Sequence, residues 1–205
     1  MPKKIKLPKI ALGETGYELS RLAHGGFHQV EALQDTVTAL VGTYVRAGGN
    51  YIETARGYGG GASEIKIGRA LAGIRRNDVI LASKTSVRDR DGAWRDIQQS
   101  LENLRTDHLD VYFFHNIGSE EDLAAICASG GALEAFEKAK EAGMIRNFGM
   151  SSHWPPMYTR AAERLPLDVV LIWGNYLDFC NFPEIPQRII PGLRDKGIGI
   201  TFMKP

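Results

Sequence analysis

One unit recurs along this chain: an amphipathic helix, a glycine, then a short apolar strand. Val37, Leu40, Val41, Tyr44 and Val45 mark one helix face, Gly48-Gly49 stops it, and NYIET (50–54) begins a strand. Ile67, Ala70, Leu71 and Ile74 repeat the helical spacing ahead of VILAS (79–83). Trp94, Ile97, Leu101 and Leu104 lead into LDVYFF (109–114), and a helix around 132–142 ends at Gly143 before MIRNFGM (144–150). A helix near 156–164 precedes DVVLIW (168–173), and one near 185–195 stops at Gly197 before IGITFM (198–203). With LAHG (22–25) as the first strand, the pattern gives seven strands and six intervening helices. The strands are unbroken apolar runs, as expected where both faces are covered by protein. Helices between consecutive strands imply parallel strands with right-handed crossovers. Two folds satisfy this: an open doubly wound sheet or a (β/α)8 barrel.

The polar residues select the barrel, where chemistry gathers at the strand ends of one face. His24 lies in the first strand's terminal segment, Glu53 and Lys84 end the next two, and His115 ends the fourth. Ser151-Ser152-His153 follow the fifth, Asn175 the sixth and Lys204 the seventh. Glu53, Lys84 and His115 recur at 31-residue intervals, one strand–helix unit each. A ring of strand ends brings such residues together; an open sheet spreads them along an edge. A barrel typically takes about 250 residues and eight strands. The 205 residues here are therefore expected to form a single α/β domain (1–205), a TIM barrel truncated after its seventh strand, with the eighth βα unit absent.

Composition narrows the partners. With 43% hydrophobic and 24% charged residues the chain is too apolar for a disordered tail, and a net charge of +1 offers no field for nucleic acid or an anionic membrane. Cys127 and Cys180 lie far apart without a CxxC or a Cys/His cluster, so neither a disulfide framework nor a metal site is expected, and a reducing compartment is the default. The basic start MPKKIKLPKI has no apolar run after it, and no aliphatic run is long enough to span a bilayer. A cytoplasmic protein is the expectation.

GYGGGA (57–62) fits the dinucleotide fingerprint G-x-G-x-x-A after a strand. That fingerprint needs an acid ending the next strand, where Lys84 stands instead. A flexible loop with Ser63 as helix N-cap explains the glycines more simply.

Glu53, Tyr58, Lys84 and His115 are the candidates for chemistry at the barrel mouth. A phenol is a weak acid at neutral pH, and an adjacent ammonium lowers its pKa. A carboxylate beside the ammonium fixes the lysine, and a histidine opposite can orient a carbonyl oxygen. Together they make a proton donor suited to carbonyl reduction, given a separate source of hydride. Each has a structural alternative: a loop aromatic for Tyr58, a plain ion pair for Lys84 and Glu53, a satisfied strand-end histidine for His115. Co-location raises the functional reading. His24, His28 and His153, with Trp154 and Trp173, are candidates for pocket lining, although packing is the commoner role of such residues.

These residues resemble the aldo-keto reductase family. IALGETGYELSRLAHGG (10–26) resembles its opening hairpin and first strand, and NYIETARGYGGGASEIKIGRAL (50–71) the stretch with its acid and tyrosine. VILASKT (79–85) is similar to the lysine strand, SLENLRTDHLDVYFFHN (100–116) to the histidine segment, and EKAKEAGMIRNFGMSS (137–152) to the fifth-strand region. The resemblance implies a barrel opened by an N-terminal β-hairpin. It also implies a nicotinamide cofactor, usually NADPH with NADH as the alternative, and reduction of a small aldehyde or ketone. Tyr58 would then protonate the oxygen, Lys84 would lower its pKa, with Glu53 beside it, and His115 would orient the substrate. Ser151 falls where the family bonds the nicotinamide carboxamide, and Ser152, Asn175 and Lys204 complete the expected cofactor-binding set. Glu53 replaces the usual Asp, Ser152 a common Asn, Leu171 a carboxamide-binding Gln, and Gly174 the tyrosine that stacks on the nicotinamide, a place for which Trp173 and Tyr176 are the candidates. The departures leave a second reading open: a non-catalytic or regulatory relative that binds cofactor or a protein partner. A Schiff-base lyase using Lys84 or Lys204 is a third. Oligomeric state is not readable from the sequence.

Overall fold

The computed structural model describes residues 6–204. Strands β1 (Lys9–Ala11) and β2 (Glu18–Ser20) form an antiparallel hairpin. Seven parallel strands follow in chain order: β3 (His24–Gly25), β4 (Tyr51–Glu53), β5 (Ile80–Thr85), β6 (Leu109–Phe114), β7 (Ile145–Ser152), β8 (Val169–Trp173) and β9 (Gly199–Met203). Each pairs with the next, and among the described residues β3 and β9 form the two edges. The sheet curls as seven strands of a (β/α)8 barrel. Helices α1 (Gln34–Arg46), α2 (Ala62–Ala70), α3 (Arg90–Leu104), α4 (Glu120–Cys127), α5 (Ala132–Glu141), α6 (Pro156–Arg164), α7 (Tyr176–Asn181) and α8 (Ile190–Asp195) join them.

Two apolar layers explain the unbroken apolar strands. On β6, Tyr112 and Phe114 face the helices, where Phe136 of α5 stacks on Phe114 with ring centroids 3.8 Å apart. Val111 and Phe113 point the other way, into an interior cluster with Tyr51, Ile80, Ala82, Val169 and Leu171. The hairpin closes the N-terminal end of the barrel. Its Leu12 and Leu19 join the interior cluster, and Tyr17 donates its hydroxyl to Asp110 Oδ1 at 2.8 Å.

Three expectations change. The first strand covers only His24–Gly25. Among the described residues there are eight α-helices rather than six, because short α4 and α7 lie within the connections that follow β6 and β8. Ser119 caps α4 by accepting from Asp122 N–H, ahead of three acids in its first turn. Ser63 is not an N-cap: it lies buried inside α2, donating to Gly26 O at 2.8 Å and sharing a 2.8 Å hydrogen bond with Thr54 Oγ1. Among the described residues no helix is long and apolar enough to cross a membrane, and no cluster of three or more His, Cys, Asp or Glu is placed to hold a metal ion.

Candidate active site

Glu53 is the last residue of β4, and Lys84 the fifth of the six in β5. Lys84 is 1% exposed, and its ammonium has three acceptors: the Glu53 carboxylate, Thr54 O at 2.7 Å and the Tyr58 hydroxyl at 3.1 Å. A lysine has three N–H donors, so this side chain is fully engaged. The longer Glu53, in place of Asp, still reaches the ammonium while Lys84 keeps its contact with Tyr58.

Tyr58 opens a tight turn, Tyr58–Gly61, between β4 and α2. Gly59, Gly60 and Gly61 have φ of +60°, +63° and +102°, a run of left-handed conformations that side chains other than glycine resist. The glycine run is thus the hinge that swings Tyr58 back over the end of β5. His115 follows β6, its backbone N–H bonded to Thr85 O at 2.8 Å, and its ring stands edge-on to Tyr58 at 5.7 Å between centroids. Phe27 stands edge-on to Tyr58 at 5.1 Å.

Two opposed effects act on the phenol. Burial raises the Tyr58 pKa above its usual value; Lys84 pulls it down without cancelling that effect, and Glu53 adds to the rise. The phenol is therefore held protonated, and the lysine favours the phenolate that forms when the proton leaves. His115 is pushed down to about 3 by burial first, then by Lys84, Arg88 and His153. It is a neutral imidazole at physiological pH.

Behind β5 lies a second layer that the sequence did not disclose. Ser83 and Thr85 flank Lys84 on the face toward the helices. Ser83 donates to Glu64 Oε1 of α2 at 2.6 Å, and Thr85 to Asp96 Oδ2 of α3 at 2.5 Å. Glu64 Oε2 accepts from Asn103 Nδ2 at 2.9 Å. Hydroxyls alternating with a lysine at the end of an apolar strand are the signal that could have revealed this layer. Phe27 carried no comparable signal.

The expected cofactor residues divide. Ser151, at the C-terminal end of β7, accepts from Asn116 N–H at 2.9 Å, which leaves its hydroxyl hydrogen available. The Ser152 hydroxyl is spent: it donates to Ile117 O at 2.7 Å and accepts from Trp154 N–H at 2.9 Å. Asn175 caps α7, accepting from Leu177 and Asp178 N–H, and donates to Lys204 O at 3.2 Å. Lys204 is exposed in a left-handed conformation with φ +57°. A side chain at Gly174 would meet the Phe179 ring at 2.7 Å, so that place is filled from α7. Tyr176 is 80% exposed, whereas Trp173 buries an Nε1–H without a partner. His24 is turned toward Tyr44 of α1, and His28 packs on Phe27; neither meets Lys84.

The L-galactose dehydrogenase of Arabidopsis thaliana is 27% identical over 215 residues, covering 98% of this chain and 66% of that protein. The holo form of aldo-keto reductase AKR11C1 from Bacillus halodurans superposes with a TM-score of 0.81 at 26% identity, over 96% of this chain and 65% of that one. An aldo-keto reductase from Klebsiella pneumoniae in complex with NADPH shares the fold, with a TM-score of 0.80 at 23% identity and coverage of 96% and 67%. The chain spans about two thirds of the length of these proteins. The sequence model of the Aldo/keto reductase family matches residues 21–205, which takes in every strand of the parallel sheet and all the residues gathered around Lys84, and the chain belongs to that family.

Proposed function

We propose that this protein is an NADPH-dependent oxidoreductase that reduces a small aldehyde or ketone to an alcohol, with Tyr58 as the proton donor. The observation that carries the reading is the Lys84 ammonium, held by Glu53 and Thr54 O and set 3.1 Å from the Tyr58 hydroxyl. Residues at the same end of the barrel fit a nicotinamide. Ser151 has a hydroxyl hydrogen to give a carboxamide, and the buried Nε1–H of Trp173 lacks an acceptor. A bound nicotinamide would supply the hydride for the carbonyl carbon.

The chain's own residues handle the proton. Tyr58 releases its phenolic proton to the carbonyl oxygen as negative charge develops there, and Lys84 stabilises the phenolate left behind. Glu53 keeps the ammonium in place. Neutral His115 offers an N–H to the same oxygen and orients it without competing as an acid. Full engagement of Lys84 speaks against its use as a free amine nucleophile.

The test is a titration with NADPH, then NADH, following fluorescence of the three tryptophans, and then turnover of an aldehyde panel. Saturable quenching favouring NADPH, with activity lowered at least about a hundredfold in Tyr58→Phe, is the expected result. Unchanged turnover in Tyr58→Phe would overturn the proton donor. Cofactor binding without turnover of any carbonyl would favour the non-catalytic reading.

A further inference from the structure

Among the described residues, Lys66 of α2 pairs with no carboxylate. Its ammonium is given over to three backbone carbonyls of the connection between β3 and α1: Val30 O at 2.6 Å, Ala32 O at 2.7 Å and Gln29 O at 3.3 Å. The link runs both ways, because Gln34, the first residue of α1, donates its amide to Lys66 O at 3.0 Å. The other end of this connection is fixed at Gly26, whose N–H donates to Glu53 O at 2.7 Å and whose carbonyl accepts from Ser63 Oγ at 2.8 Å.

Phe27 lies between the two attachments. It is 60% exposed, with one edge against Tyr58. Val30, whose carbonyl Lys66 holds, rests on the glycine turn itself: a side chain on Gly59 would come within 2.5 Å of Val30 Cγ1. The segment that presents Phe27 and the turn that presents Tyr58 are thus packed together, and Lys66 is the polar fastener on the far side.

We propose that Lys66 is a positioning residue for substrate: by tying Gln29, Val30 and Ala32 to α2, it holds Phe27 beside Tyr58 as an apolar wall of the pocket, and so sets affinity for aromatic carbonyl compounds. This rests on the reading of Tyr58 as proton donor. Lysine suits the task because its three donors match three converging carbonyls. Its ammonium bonds the segment and none of Tyr58, Lys84 or His115, so its loss frees the segment and leaves their hydrogen bonds in place.

The experiment compares the native chain, Lys66→Met and Lys66→Arg on 4-nitrobenzaldehyde and on propanal with NADPH, alongside hydrogen exchange of residues 27–32. Lys66→Met is expected to raise KM for the aromatic aldehyde about five- to tenfold, the scale of one lost aromatic contact, with kcat within about twofold. KM for propanal should stay within about twofold, exchange at 27–32 should accelerate, and Lys66→Arg should recover most of the loss. In a Phe27→Ala background, Lys66→Met should add nothing further to KM. Independent, multiplying effects of the two substitutions, an equal loss for both aldehydes, or unaltered exchange at 27–32 would overturn the proposal. If the native chain reduces neither aldehyde, the carbonyl-reductase reading falls and takes the substrate role of Lys66 with it. The exchange measurement then still decides whether Lys66 holds the segment.

Discussion

Ser83 donates its hydroxyl to Glu64 Oε1 at 2.6 Å, from the face of β5 opposite the one that carries Lys84. Both partners are fully buried, and Glu64 lies six residues after Tyr58 on the segment that leaves the glycine turn. With Asn103 on its second oxygen, Glu64 joins α2, β5 and α3 at one point. The distance between the tyrosine's segment and the lysine's strand is therefore set from behind as well as across the site.

Glu64→Leu leaves the fully buried Ser83 hydroxyl and the half-buried Asn103 amide without their acceptor. Two such losses should destabilise the fold by about 2–4 kcal/mol, and Glu64→Gln, which keeps one acceptor, by less. Urea denaturation measures this. A Leu variant as stable as the native chain would show that the hydrogen bonds are not what holds these three elements.

The floor of the site depends on a size match between β6 and β7. Phe113 pairs in register with both Lys84 and Gly149, and a Cβ on Gly149 would lie 2.4 Å from the Phe113 ring. Gly149→Ala should cost about 1–3 kcal/mol, because an aromatic ring wedged between strands has little room to yield. Adding Phe113→Leu should recover a large part of that loss. Thermal unfolding of the single and double variants decides it, and no recovery in the double variant would place the strain elsewhere.

Much of this arrangement was legible in the sequence because it follows from periodicity. Apolar runs alternating with helical faces gave the seven parallel strands, and the polar residue after each run gave Glu53, Lys84 and His115. The rest depended on angles and distances that a linear pattern does not carry. Ser63 comes just after a glycine run and so reads as a cap, yet the helix is already capped at Gly61, two residues earlier, and the hydroxyl bonds Thr54 and Gly26 instead. The ammonium near Tyr58 lowers the phenol's pKa as its chemistry implies, but depth of burial outweighs it, and burial is not a property of neighbours in sequence. Phe27 and Lys66 sit 39 residues apart, Phe27 in an irregular connection and Lys66 on α2. Only the fold brings Phe27 to Tyr58 and Lys66 to the segment that carries Phe27.

His115 makes the protein sensitive to acid. Its folded-state pKa of about 3 lies below the ordinary histidine value of 6.5, so between these pH values the unfolded chain binds more protons. Its contribution to stability is complete above pH 6.5 and is lost as pH falls toward 3. Burial also lowers His24 and His153, so the native chain carries more than one such group. His115→Gln should reduce the slope of stability against pH in this window by up to about 1.4 kcal/mol per unit, the value for one proton. Urea denaturation at intervals from pH 7 to 4 measures it. Parallel curves for the two proteins would mean that His115 titrates normally in the fold.

Ser151 and Ser152 are adjacent in β7 and should fail in different ways. Ser152→Ala removes the donor to Ile117 O and the acceptor for Trp154 N–H, both in the connections around the strand end. It should cost about 1–3 kcal/mol of stability and leave NADPH affinity within about twofold. Ser151→Ala removes a hydroxyl whose hydrogen has no partner among the described residues. Its main effect should fall on the cofactor, with Kd for NADPH weakened about tenfold, the equivalent of one hydrogen bond of about 1.4 kcal/mol. Fluorescence titration and urea denaturation on the same preparations separate the two. If Ser152→Ala weakens NADPH binding as much as Ser151→Ala while stability holds, the division between a cofactor hydroxyl and a structural one is wrong.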